Sequence, residues 1–244
     1  MLHNTHVYFA SKLYRSEDRL LMLGSILPDI AVTGVIGWED GLHGKKNFID
    51  FVKFVRREYP SLIKLSEGVI SHNILDDFTH TSYKGNSGFA YQNNKELVRL
   101  VMKYYGLGEE KAKGIAHNYI ESGVDILLLK EYPDIKGKIR KVLRKFENGE
   151  LFDILETYFQ KEKGEFLEAF PKLLDLFTKY DLSGVNNWIV SWKKLEGFLK
   201  LKNIGDKRRN ELLLKSIEIV RNTYKDFLNY SLKEGLKELK LHGV

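Results

Sequence analysis

The chain has 244 residues, enough to bury one sizeable core or at most two. Hydrophobic residues at 43% and aromatics at 12% are too rich for a disordered polypeptide, and with no cysteine there is neither a disulfide nor a thiolate metal site. The net charge of +6 comes from lysines spread mainly over the second half, which read first as solvated helix faces and second as an attraction for anionic partners.

Apolar residues recur at intervals of three and four almost throughout and long period-two alternations are missing, so the predicted fold class is all-α. A first helix is predicted over 4–15, capped by Asn4 or Thr5, and a second over 17–27, stopped by Pro28. Asp29 to Gly44 reads as a glycine-rich loop, and 45–58 as a third helix. Ser61, just after Pro60, is the predicted cap of a fourth helix running to about His80. Thr81 to Gln92 reads as an exposed loop, whose Tyr83, Phe89 and Tyr91 are candidates for one wall of a substrate pocket. Helices over 94–105 and 109–129 follow. Beyond Tyr132-Pro133-Asp134 the chain becomes four or five Lys-rich amphipathic helices, in which Trp188 to Phe198 reads as core. The expected organisation is a single domain over 1–244, with a metal-site core in 1–130 and additional helices in 131–244. No stretch reaches the roughly 18 to 20 apolar residues of a membrane-spanning helix, and the N-terminus lacks a signal-peptide pattern. The expectation is a cytoplasmic protein with no stable membrane insertion.

Six of the seven histidines lie in the first 117 residues. On the fourth helix the stripe Leu62, Leu65, Val69 turns into His72, Asp76 and His80, one turn apart on a single face. His117 and Glu121 sit one turn apart on the helix over 109–129, and His3 and His6 share the inward side of the first. Taken singly, each feature has a plainer reading. A lone His on an apolar face is more often a hydrogen-bonded core residue, Asp29 suits a helix stop, His43 an ordinary loop, and His242 a frayed tail. Together, three apolar faces that each end in His and carboxylate point to buried metal, because burying such groups without a partner costs several kcal/mol. Nitrogen and oxygen ligands without sulfur suit catalytic zinc.

The ordered set His6-x-x-x-Ala10, Leu23-Gly24-Ser25-Ile26-Leu27-Pro28-Asp29, His43, Gly68-Val69-Ile70-Ser71-His72-x-x-x-Asp76-x-x-x-His80 and His117-x-x-x-Glu121 resembles the zinc-dependent phospholipase C family over about residues 3–125. The zinc-dependent nucleases specific for single strands share that fold. The resemblance implies a helical bundle with up to three zinc ions in a central cleft. By that resemblance Asp29, His43, His72 and Asp76 would hold one ion, His80, His117 and Glu121 a second, and His6 a third with Asp76 bridging. The Met1 amine, or in its place the His3 imidazole, would complete the third site. Asp29 is assigned a second role, as the carboxylate that orients or deprotonates the attacking water.

The implied activity is zinc-dependent hydrolysis of phosphate esters, in the manner of a phospholipase C-like phosphodiesterase acting on a phospholipid headgroup or a nucleotide-like ester. A zinc-dependent nuclease is the alternative, with the basic run Lys136 to Lys145 as a backbone-binding face, and a non-catalytic metal-binding helical protein is another. The chain lacks the adjacent His-Asp pair of the HD phosphohydrolases and the paired Glu-x-x-His motifs of ferritin-like di-iron sites.

Overall fold

In the computed structural model the apolar spacing resolves into twelve α-helices with no β-strand among the described residues, which are 3–135, 137–138, 150–178 and 184–241. The all-α class expected from the sequence is the class observed. The helices are α1 (His3–Leu13), α2 (Arg19–Gly24), α3 (Lys45–Glu58), α4 (Ile63–Asp76), α5 (Phe89–Asn93), α6 (Lys95–Tyr105) and α7 (Glu109–Glu131). They are followed by α8 (Glu150–Phe159), α9 (Glu165–Thr178), α10 (Val185–Phe198), α11 (Asp206–Val220) and α12 (Tyr224–Leu241).

Several predicted boundaries move, each for a local reason. Helix α1 begins at His3, and neither Asn4 nor Thr5 is its cap; both donate instead to the carboxylate of Asp125, far along the chain. Asp18 accepts from the backbone N–H groups of Leu20 and Leu21, so α2 opens at Arg19. Pro28 opens a 3₁₀ turn, Leu27–Thr33, closed by Gly34 at φ +80°, a left-handed conformation natural to glycine. The first part of the predicted loop is therefore helical. Ser61 is not a cap either: Pro60–Leu62 forms a 3₁₀ turn, and α4 starts at Ile63 without a side-chain cap. At its far end α4 widens into a π turn, Asp77–Thr81.

The stretch after His80 is not a wholly exposed loop. Tyr83 and Phe89 are buried, and Phe89 stacks on Phe227 of α12 at 4.3 Å between ring centroids, so these two rings are core rather than pocket wall. Gly88 lies so close to the His80 backbone that a Cβ there would collide with it.

Helices α2 and α4 cross at two glycines. A Cβ on Gly24 would strike the Leu65 carbonyl, and one on Gly68 the Leu21 carbonyl. The C-terminal helices brace α7 from behind. Trp192 of α10 stacks on Tyr119 at 3.7 Å and donates to Ser122 Oγ at 3.1 Å. Gly123 of α7 packs against Ser216 of α11 with no room for a side chain. Beneath them the buried Arg209 guanidinium binds Glu196 through Nε at 2.8 Å and Nη2 at 2.6 Å, and Tyr105 donates to the same carboxylate at 2.8 Å. In the stretch expected to be core, Trp188 and Trp192 are fully buried, whereas Val190 and Phe198 are exposed because they lie on the outer face of the helix.

Candidate metal centre

Five elements converge on one place: the first turn of α1, the 3₁₀ turn after α2, the loop before α3, the end of α4 with its π turn, and the middle of α7. Asp29 sits between two imidazoles, with His3 Nε2 2.9 Å from its Oδ2 and His43 Nε2 3.2 Å from its Oδ1. Asp76 faces His6 Nε2 and His72 Nε2, both at 3.3 Å, with His43 Nε2 at 3.8 Å and His80 Nδ1 at 3.9 Å. Opposite them Glu121 Oε1 lies 2.6 Å from His80 Nε2 and 3.9 Å from His117 Nε2.

Three ligand groups result: Asp29, His43 and His72; His6, His72 and Asp76; and His80, His117 and Glu121. Within each, the donor atoms lie within 4.8 Å of one another. His72 belongs to the first two, so these form one continuous cluster, and His6 stacks on His72 at 3.8 Å. The eight positions His6, Asp29, His43, His72, Asp76, His80, His117 and Glu121 are thus brought together. His3 reaches Asp29. Met1 and His242 lie outside the described residues, as does the basic run Lys136 to Lys145 apart from Gly137 and Lys138.

The donors fit a metal ion. His72 Nδ1 donates to the Ser25 carbonyl at 2.8 Å, which in the neutral ring leaves the lone pair on Nε2. That nitrogen faces a carboxylate oxygen of Asp76 at 3.3 Å, a contact that takes either a proton on Nε2 or a cation between the two. Both ring nitrogens of His6, His72 Nε2 and His117 Nδ1 are buried without a well-directed hydrogen bond. Leaving such atoms unsatisfied costs about 1–3 kcal/mol each, and a zinc ion takes this combination of imidazole and carboxylate directly.

Burial opposes charge on all these side chains, and their neighbours then separate them. It lowers His3 to about 3, His117 to about 4 and, with repulsion from His72, His6 to about 4, leaving three neutral imidazoles at pH 7. For His72 and His80 burial is outweighed by Asp76, which raises His72 and, with Glu121, takes His80 to about 9. Burial also raises the carboxyls, but the positive charge and hydrogen bonds around Asp29, Asp76 and Glu121 hold all three well below the usual carboxylate range.

The sequence assigns no role to the residues that position the ligands. The Gly24–Gly68 crossing brings the Ser25 carbonyl to His72. Asn73 donates to the Leu42 carbonyl at 2.9 Å and so ties α4 to the loop carrying His43. Asp125, one turn beyond Glu121 on α7, binds the first turn of α1. Its signal in the sequence is the spacing His117, Glu121, Asp125, a polar series at intervals of four on one helix face.

The ligands floor a cavity of about 560 Å³, reached by His3, Asp29, His43, Asp76, His80 and His117, with His6, His72 and Glu121 buried behind. Trp38, half exposed and tilted against His43 at 4.8 Å, stands on one side with Val32 and Phe48. Leu195 and Leu199 form part of another wall, and Lys45, Asp77 and Glu238 supply charge. Of the three loop aromatics, Tyr91 alone approaches the ligands, 5.2 Å from His117.

The fold and this site define a helical protein built around clustered imidazoles and carboxylates. The chain belongs to the zinc-dependent phospholipase C family, whose family model matches residues 3–169. Searches of curated proteins and of solved structures gave no match. Among the described residues no helix is long and apolar enough to cross a membrane.

Proposed function

We propose that the protein hydrolyses phosphate esters as a phospholipase C-like phosphodiesterase, with up to three zinc ions held by the three ligand groups. The observation that carries this reading is the arrangement of all three groups on the floor of one cavity. Such ions lower the pKa of bound water and stabilise charge on phosphoryl oxygens.

The first ion is assigned to Asp29, His43, His72 and Asp76, the second to His80, His117 and Glu121, and the third to His6 with Asp76 shared. Asp29, held ionised by its surroundings, orients the attacking water and accepts its proton. The Lys45 ammonium at the cavity wall attracts the anionic phosphate, and the Trp38, Val32 and Phe48 side gives an apolar surface to the group it carries. A phospholipid headgroup is the substrate class in this reading.

Metal analysis of chain purified without chelator is the first test, with two or three zinc ions per chain expected. A chain that cannot take up zinc overturns the reading. Hydrolysis of a generic phosphodiester, a phospholipid and single-stranded DNA is then compared. Asp29→Asn is expected to lower the rate about 10²- to 10⁴-fold. Unchanged activity removes Asp29 from its role, and preference for DNA moves the assignment to a nuclease.

A further inference from the structure

Asp125 touches no ligand of the cluster, yet it is one of the most completely buried carboxylates in the molecule, at 0% exposure. Its Oδ2 accepts from Asn4 N at 3.2 Å and Asn4 Nδ2 at 2.9 Å, and its Oδ1 from Thr5 N at 3.0 Å and Thr5 Oγ1 at 2.5 Å. All four donors belong to the opening turn of α1. That turn has backbone N–H groups with no helical partner and the positive end of the helix dipole, so a carboxylate from another helix satisfies both. The same turn carries His3 and His6, whose imidazoles reach Asp29 and Asp76. On the other side, Asp125 is one turn from Glu121 on α7.

We infer that Asp125 is a positioning residue for the metal cluster: through Asn4 and Thr5 it fixes the first turn of α1 against α7, and so sets the place of His6 relative to His72 and Asp76. This rests on the metal reading proposed above and adds to it a residue that binds no ion itself. Without this clamp α1 keeps its apolar anchors, Val7, Phe9, Ala10 and Leu13, all buried. What loosens is its opening turn, so the ion of the His6 group is the one affected. The ion of His80, His117 and Glu121 depends on α4 and α7 and is held without α1.

The substitution Asp125→Asn keeps the shape but turns an amide N–H₂ towards donors that need an acceptor. Thr5→Val removes one hydrogen bond and leaves the carboxylate. Zinc per chain is measured after dialysis against graded chelator, and the cobalt-substituted chain is followed by its visible absorption. Helicity and melting temperature of the metal-free chain are recorded alongside. The expectation is that D125N weakens one ion by about 10- to 100-fold, as other residues that support metal ligands do, while the remaining ions stay at wild-type affinity, and that T5V weakens the same ion less.

Ions bound by folded D125N as tightly as by the wild type overturn the inference. So does uniform weakening of every ion, which marks a general loss of stability. If D125N does not fold, T5V decides: unchanged affinity for every ion overturns the inference, and selective loss of one supports it. A wild-type chain that takes up no zinc overturns the metal reading itself, whereas a loaded wild type with an equally loaded D125N overturns only the role of Asp125.

Discussion

At the scale of single residues, the centre works by opposing burial with charge. Glu121 is buried yet ionised, because the His80 imidazole hydrogen-bonded to it is drawn towards the protonated form. In the proposed function a zinc ion held by that group would take the place of the proton between Glu121 and His80. Glu121→Gln keeps the volume but removes the charge, and is expected to lower bound zinc by one ion per chain in metal analysis while the His72 cluster stays filled. The Ser25 carbonyl orients His72, since its hydrogen bond to Nδ1 turns Nε2 towards Asp76 as the candidate ligand atom.

At the scale of elements, the ligands are placed by how helices approach and end. Gly24 and Gly68 let α2 and α4 meet backbone to backbone, which is what carries the Ser25 carbonyl to His72. Gly68→Ala forces a methyl into the Leu21 carbonyl, and overpacking of this kind costs about 1–3 kcal/mol. Denaturant unfolding is expected to show that loss, accompanied by weaker zinc binding as the Ser25–His72 bond shifts. The π turn at the end of α4 is a second device of this scale. It carries His80, whose ring stands between two carboxylates, with Nδ1 3.9 Å from Asp76 and Nε2 2.6 Å from Glu121.

At the scale of the whole molecule, the helices beyond the family-matched segment support the metal-bearing ones and line part of the cavity. Arg209 and Glu196, both buried, hold α11 and α10 together behind α7. Glu196→Ala leaves the Arg209 charge buried without its main partner, and removing one member of such a pair costs about 3–5 kcal/mol. Thermal or denaturant unfolding is expected to show this loss. Metal acts on the same scale, because zinc bound only by the folded chain stabilises it by mass action. At free zinc about 100 times the dissociation constant each ion contributes about 2.7 kcal/mol, so chelation is expected to lower the melting temperature and zinc to restore it.

What was legible in the sequence was whatever repeats along the backbone. The all-α class, the His72–Asp76 and His117–Glu121 pairs and the change from apolar to titratable on α4 all follow from a helical period of about 3.6 residues, a property of neighbouring residues alone. The order of the eight ligand positions carried the family resemblance. Contacts between distant segments had no such trace. Asn4 and Thr5 read as caps because their chemistry suits a cap, but their partner is Asp125, some 120 positions away. Tyr83 and Phe89 read as pocket residues because their segment is polar and contains glycine, whereas α12 covers them. By itself, then, the sequence determined the candidate ligands and the helices that carry most of them. Only the tertiary structure decided which imidazole meets which carboxylate, because that depends on how closely two helices cross, where one widens, and which buried donors find an acceptor across the fold.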